Sequence, residues 1–215
     1  MGILIKNHFL NSSKVKNRHQ KKNTPKRVFL VYKPFGMLSQ FTREVAGQFT
    51  LADLDFDFPP DVYPVGRLDY DSEGLLLLSN DKSLTDKLLN PVNAHKREYW
   101  VEVEGEISDE ALRNLQKGVE ISINGQKYTT MPAQAEKIEM PALPERNPPI
   151  RVRKTIPTSW ISIVLQEGKN RQVRRMTAAV GFPTLRLVRA RILNLPLAGM
   201  KSGQISEILL SEIGF

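Results

Sequence analysis

The chain has 215 residues, of which 40% are hydrophobic and 25% charged, the composition of an ordinary globular protein of one large domain or two small lobes. It contains no cysteine, which excludes disulfides, thiolate zinc sites and cysteine nucleophiles, and its three histidines make a histidine-based metal centre improbable. No apolar run approaches the roughly 20 residues of a membrane span. Because the run from Ile3 to Ile5 is also too short for a secretory signal, we predict a cytoplasmic protein.

The net charge of +8 is unevenly distributed. Residues 1–27 hold eight Lys/Arg and no acid, and residues 145–191 hold eleven Lys/Arg and two acids. A basic tail and a basic patch suit a polyanion, of which nucleic acid is the commonest. A solvated leader with ordinary surface arginines is the alternative. Residues 1–25 have too little apolar surface to offset their ordering entropy, so we predict a disordered basic tail there and a folded domain over residues 26–215.

Strand signals begin with VFLVYKP, a compact β-branched and aromatic run that ends at Pro34. Asn124-Gly125 is the turn signal of a β-hairpin. The five prolines between Pro141 and Pro157 are typical of an extended loop. The predicted strands are Val28–Pro34, Leu75–Ser79, Tyr99–Glu104, Val119–Ile123, Trp160–Gln166, Thr184–Ile192 and Gln204–Leu210.

Helix signals are fewer than strand signals. Asp81 and Ser108 are candidate N-caps, and Gly118 and Gly181 follow the ends of periodic segments, where a left-handed exit is favoured. Strands joined by hairpins, with a few helices between them, predict an α+β domain with a substantial antiparallel sheet. The predicted helices cover residues 81–90, 108–117 and about 170–180.

The stretch GRLDYDSEGLLLLSN places Asp69, Asp71 and Glu73 at alternate positions ahead of a glycine and four leucines. This order resembles a calcium loop, but the position for the bidentate glutamate is Asn80, so calcium is disfavoured. A magnesium-dependent phosphatase or nuclease would need further carboxylates to share the metal. A turn in which the acids cap backbone amides fits the pattern at least as well.

Arg67 lies two residues before Asp69 and would share its face if this stretch is extended. A carboxylate that acts as a nucleophile must stay ionised in a largely dry pocket, and a nearby guanidinium favours the ionised form. The stretch therefore predicts either a capped turn or an activated carboxylate.

Two further segments carry candidate functional residues. In KREYWVEVEG, strand alternation places Tyr99 with two valines, which fits a core tyrosine or a ring that stacks on a base. In the segment from Gln166 to Ile192, helical spacing predicts a core-facing stripe of Val173, Met176, Thr177 and Val180. Arginine's planar fork suits phosphate and carboxylate better than lysine does. The arginines beside that stripe and on the next strand are Arg171, Arg174, Arg175, Arg186, Arg189 and Arg191.

These three segments together resemble the RNA pseudouridine synthase family, in the branch that contains the bacterial small-subunit rRNA enzyme A. GRLDYDSEGLLLLSND is similar to the family's GRLDxxSxGLL motif, KREYWVEVEG to its K-x-Y-x-V segment, and EGKNRQVRRMTAAVG to its EGxxRQIRRM helix. The similarity runs from about Val28 to the C-terminus. It implies an α+β fold of two lobes around a central, mainly antiparallel sheet, with the active cleft between the lobes.

The resemblance also implies a reaction, in which one uridine of 23S rRNA, naked or in a large-subunit assembly particle, is isomerised without cofactor or metal. Asp69 would be the catalytic aspartate, and Tyr99 would stack on the uracil and is the candidate base for the C5 proton. Arg174 would pair with Asp69, and Arg67 would fill the space left by the flipped nucleotide. The other predicted RNA contacts are Lys169, Arg171, Arg175, Arg186 and Arg189.

For Asp71 and Glu73 we predict structural roles, in the turn and at the start of the strand that follows it. Many members of the branch carry an S4-type RNA-binding domain ahead of the catalytic one, whereas here we expect only the basic leader before Val28. We also expect a monomer that makes no membrane contact. The alternatives are an RNA-binding ribosome assembly factor without turnover and a metal-dependent RNA hydrolase.

Overall fold

The computed structural model describes residues 24–150, 153, 155–197 and 199–215. The predicted tail, residues 1–25, lies outside the described residues except for Thr24 and Pro25. Among the described residues, no helix has the length and apolar character needed to cross a membrane.

Thirteen strands and three α-helices make up the described fold. The strands are β1 Val28–Lys33, β2 Met37–Leu38, β3 Phe49–Thr50, β4 Tyr63–Val65, β5 Glu73–Ser79, β6 Arg97–Glu104, β7 Glu120–Ile123, β8 Gln126–Thr129, β9 Gln134–Ile138, β10 Thr158–Leu165, β11 Thr184–Ile192, β12 Leu195–Pro196 and β13 Ile205–Ile208. The helices are α1 Lys82–Leu89, α2 Asp109–Lys117 and α3 Gln172–Ala179.

A nine-stranded sheet forms the centre of the described fold, in the order β13-β1-β5-β11-β6-β10-β9 with β4 and β12 attached. Its described pairings are antiparallel except for β5 with β11, which is parallel and joins only two residue pairs. This short seam connects a half-sheet of β13, β1 and β5 to a half-sheet of β11, β6, β10 and β9. The prediction of an α+β fold with a mainly antiparallel central sheet is confirmed.

Each half-sheet carries its own core. Helices α2 and α3 pack on β6 and β10 through a cluster that includes Val101, Leu115, Ile161 and Met176. Strands β1 and β5 are buried on both faces, because one face packs on α1 and the other on the segment that leads to β4. The fold therefore has two lobes that meet at the seam.

The seam depends on Gly74, which has a φ of +102°. A Cβ atom at this position would lie 2.4 Å from the Arg189 carbonyl oxygen, closer than any real contact. Glycine is the residue that combines this backbone conformation with so close an approach of two strands. The end of the GRLDYDSEG segment, Glu73 and Gly74, is thereby brought against β11.

Most of the predicted elements are present in the fold. Strand β11 has the predicted bounds, and Asp81 and Ser108 cap α1 and α2 as predicted. The prediction missed β9, an edge strand whose sequence QAEKI is mostly polar and exposed. Gly118 has the positive φ predicted at the exit of α2, 94°, but its extended ψ of 144° lies outside the αL conformation.

Candidate active site

A cleft of about 570 Å³ is lined by residues of both lobes. Arg67, Asp69 and Tyr70 come from the segment that leads into β5, and Tyr99 and Arg189 come from the paired strands β6 and β11. The segment before α3 adds Lys169, Asn170 and Arg171. Within the described part of the chain, no group of three or more His, Cys, Asp or Glu side chains is arranged to hold a metal ion.

Asp69 is held by the backbone on both sides of it. The Ser39 hydroxyl donates to the Leu68 carbonyl at 2.9 Å and accepts from the Leu68 amide at 3.0 Å. The Gly36 amide donates to the Tyr70 carbonyl at 2.9 Å, and the Ser72 amide donates to the Asp69 carbonyl at 3.1 Å. The side chain is about one third exposed, so a fixed backbone carries a carboxylate that is open to the cleft.

The carboxylate of Asp71 is the main partner of the α3 arginines. Arg171 donates to both of its oxygens at 2.9 and 2.7 Å, and Arg174 Nε lies 3.4 Å from Asp71 Oδ2. Arg174 also donates to the Asp71 carbonyl at 2.6 Å. The nearest ion-pair contact of Asp69 is to Arg171, at 3.7 Å. The predicted pair of Asp69 with Arg174 is therefore not present in this structure, and Arg174 does not line the cleft.

The pair was expected from the family resemblance; here a turn at residues 69–72 brings the carboxylate of Asp71, and not that of Asp69, to the α3 arginines. Burial acts to raise the pKa of the Asp71 carboxyl, but the hydrogen bonds from Arg171 and the charge of Arg174 outweigh it and hold that pKa below its usual range. Asp71 thus stays ionised and fixes both arginines beside Asp69. The structure thus adds an ion-pair role to the turn role predicted for Asp71.

We expect Asp71→Asn to lower turnover by roughly tenfold to a hundredfold, because Arg171 would lose its partner and shift relative to Asp69. The measurement is the rate of tritium release from 23S rRNA transcript labelled at uridine C5. A matched control is Asp57→Asn, which makes the same chemical change at an exposed residue outside the cleft lining. Unchanged turnover in Asp71→Asn would return Asp71 to the turn role.

Tyr99 and Arg189 are cross-strand partners between β6 and β11. Arg189 is 5% exposed, and its Nε donates to the Leu75 carbonyl at 2.6 Å. Burial lowers the pKa of this guanidinium, and the neighbouring Tyr99 hydroxyl acts in the opposite direction. Arg189 lines the cleft as a buried neighbour of Tyr99, and its predicted RNA contact stays a prediction.

The other predicted RNA contacts separate into two groups. Arg67 and Lys169 line the cleft with exposed side chains; Arg67 Nη2 donates to Gln40 Oε1 at 3.3 Å. Arg175 does not line it, because its guanidinium donates to the Asn170 carbonyl and to a carbonyl of β7.

Arg186 is buried and bound to Glu73, with two hydrogen bonds of 2.8 Å between the guanidinium and the carboxylate. A third hydrogen bond joins Arg186 to the Pro144 carbonyl at 2.9 Å. Arg186 is therefore engaged within the fold and does not line the cleft, and its RNA contact stays a prediction that this geometry does not favour. Glu73, predicted to serve the strand entry, is half of a buried ion pair across the seam.

Lys33, at the end of β1, was missed by the sequence reading. It is fully buried, and its Nζ donates to the carbonyls of Pro34 and Met37 at 2.9 and 2.8 Å. These bonds shape the turn that carries Ser39 to Leu68. Burial lowers the pKa of Lys33 to about 7, against the opposing charge of Glu73. Nothing in the sequence around Lys33, which precedes Pro34, indicates that its side chain would be buried.

The stability of the protein should therefore depend on the protonation of Lys33. In the unfolded chain its pKa is near 10.5, so between pH 7 and about 10.5 the unfolded state binds more protons, and stability rises with pH. We expect this group to add a slope of about 1.4 kcal/mol per pH unit in that range. Urea unfolding of wild type and Lys33→Met at several pH values measures it, and an NMR titration of the Lys33 amine checks it without a variant. An ordinary amine titration near pH 10.5 would contradict the prediction.

Residues 27–179 match the RNA pseudouridylate synthase family. The chain belongs to this family. It is 47% identical to ribosomal large subunit pseudouridine synthase E of Vibrio parahaemolyticus over 86% of this chain and 75% of that one. It is 34% identical to ribosomal large subunit pseudouridine synthase B of Bacillus subtilis, over 86% of this chain and 69% of that one. The chain is thus an RNA pseudouridine synthase, an isomerase.

A solved structure of a pseudouridylate synthase has the same fold. It superposes with a TM-score of 0.71 at 24% identity, over 88% of this chain and 73% of that chain. The family resemblance and the fold predicted from the three motifs are confirmed. The roles of individual residues depend on the geometry described above and are proposed below.

Proposed function

We propose that this pseudouridine synthase converts one specific uridine of 23S rRNA into pseudouridine, with Asp69 as the essential acid and without a cofactor. The proposal is supported by relatives named for the large ribosomal subunit, at 47% and 48% identity in two genera. The observation that carries it is the position of Asp69, which is fixed by its backbone on one wall of a basic cleft that Tyr99 also lines.

The reaction moves the base from one bond to another. The bond from N1 to C1′ breaks, C5 bonds to C1′, C5 loses its proton, and N1 takes up a proton. Asp69 acts as an anion at the sugar or at the base, while Tyr99 stacks on the uracil and is the candidate acceptor of the C5 proton. A base inside a helical stack cannot make this change, so the uridine must be extruded at a cost of a few kcal/mol.

The charged residues of the cleft offset that cost. Arg67 is exposed beside Asp69 and is placed to occupy the space left in the RNA by the extruded nucleotide. Lys169 and Arg171 lie on the α3 side of the same cleft. We further propose that residues 26–215 act as a single catalytic domain, as a monomer in the cytoplasm, with the basic leader as an additional RNA contact.

Tritium release from 23S rRNA transcript labelled at uridine C5 tests this function. The wild-type protein should release tritium from naked transcript or from large-subunit assembly particles. Release from neither substrate would overturn the proposal and favour the alternative, an assembly factor that binds rRNA without turnover. Binding of the same transcript, measured in parallel, separates that alternative from a protein that does not bind this RNA.

A further inference from the structure

Arg97 is a cation of the cleft to which the proposed chemistry gives no role. It lies on β6 two residues before Tyr99, so the two side chains share a face of the strand. Both line the cleft. The nearest hydrogen bonds of Arg97 are two long contacts of 3.4 Å, from Nε and Nη2 to the His95 carbonyl. Among the residues that the structure describes, no carboxylate forms an ion pair with Arg97.

Glu167, the acid at this end of the cleft, is already engaged. It accepts hydrogen bonds from the Tyr128 hydroxyl, from the Met131 amide at 2.8 Å and from Gln172 Nε2 at 2.6 Å. Lys169, next along the cleft, rests with its ammonium 4.9 Å from the centre of the Tyr128 ring. The acid that could have balanced the nearby cations is therefore committed to fixing the segment before α3.

The positive charge of Arg97 acts on the neighbouring guanidinium of Arg189. Burial is the main cause that lowers the pKa of Arg189, and the positive charge of Arg97 lowers it further. A half-buried guanidinium beside another cation is stabilised by an anion, and a phosphate oxygen pair matches the planar fork of arginine. Gly168 lies against the guanidinium: a Cβ atom at this position would be 3.2 Å from Arg97 Nη1, so the absence of a side chain here leaves the guanidinium uncovered on this side.

We propose that Arg97 binds the backbone phosphate of the nucleotide that is extruded into the cleft, with Lys169 as the second cation of this subsite. The inference rests on the proposed function, since the ligand is the substrate's own backbone. Two residues of extended strand separate Arg97 from Tyr99 by about 6.7 Å, which one nucleotide can bridge with its base on Tyr99 and its phosphate on Arg97.

The test compares Arg97→Gln, Arg97→Lys and the control Arg113→Gln, which changes an exposed arginine of α2 outside the cleft. KM and kcat come from tritium release with C5-labelled 23S rRNA transcript, and Kd for the same transcript is measured at several salt concentrations. Arg97→Gln should raise KM about tenfold or more, with a smaller change in kcat. It should also flatten the slope of log Kd against log salt by roughly 0.7 to 0.9.

Arg97→Lys should keep the wild-type salt slope and recover part of the affinity, because it keeps the charge but not the fork. A merely structural arginine would leave the salt slope unchanged, and that result would overturn the proposal. A loss confined to kcat would also overturn it and would make Arg97 a positioning residue for Tyr99. If wild type bound the transcript but released no tritium, the proposed function would fail, and the salt slopes would still decide the role of Arg97.

Discussion

Asp69→Asn is expected to release no measurable tritium from C5-labelled 23S rRNA transcript. Asparagine has almost the same shape as aspartate, and the substitution leaves the backbone hydrogen bonds of residues 68–72 unchanged. An asparagine side chain cannot, however, act as an anion at the sugar or at the base. Loss of an essential nucleophile or acid in other enzymes lowers kcat by roughly 10⁴-fold or more. Binding should persist, because Arg67, Lys169 and Arg171 all remain on the cleft wall.

The matched control for this loss is the exposed carboxylate of Asp57, since Asp57→Asn removes one negative charge far from the cleft lining. It should keep wild-type turnover. Asp71→Asn should fall between the two, because its carboxylate acts through Arg171 and Arg174. Turnover by a folded Asp69→Asn protein at more than a few per cent of wild type would show that Asp69 is not the essential carboxylate. Another residue of this chain would then have to carry out its step.

The second large effect concerns the buried pair of Glu73 and Arg186. Glu73 is 3% exposed, and its carboxylate accepts both guanidinium bonds at 2.8 Å. Arg186→Met would leave that charge buried without a partner. We expect the free energy of unfolding to fall by about 3–5 kcal/mol, measured by urea denaturation at pH 7.

The double variant Glu73→Leu/Arg186→Met separates an unpaired charge from lost packing. Because it removes both charges, it should recover most of the stability that Arg186→Met loses. A surface control is Arg113→Met on α2, which should change the free energy of unfolding by less than about 0.5 kcal/mol. A double variant as unstable as the single one would show that packing around the pair, and not the uncompensated charge, carries the effect.

Local signals in the sequence predicted local structure well. The strand from Thr184 to Ile192 follows a proline and consists mainly of apolar residues interrupted by arginines, and its predicted bounds agree with the structure. Asp81 accepts from the Ser83 amide at 3.0 Å, and Ser108 from the Ala111 amide at 3.2 Å, as cap residues do. These features depend on neighbours within a few residues, which the sequence displays.

The ion-pair partners of the charged residues could not be predicted from such local signals. Asp71 and Arg171 are 100 residues apart in the chain, and Glu73 and Arg186 are 113 apart. Each arginine of the basic segment could pair with any of three closely spaced acids, and the turn after Asp69 decides which acid faces which lobe. Arg97, by contrast, had a readable signal, because strand alternation places it on the same face as Tyr99.

The seam between the half-sheets also has a consequence for synthesis of the chain on the ribosome. Strands β6, β9, β10 and β11 form one half-sheet, and all four lie within residues 97–192, so they can pair as soon as this segment has emerged. The other half-sheet, into which the Asp69 segment leads, includes β13, residues 205–208, which follows all of these strands in the chain. Until then β1 presents an open hydrogen-bonding edge. The half-sheet of β1 and β5 therefore gains this edge strand only after residues 97–192 have been synthesised.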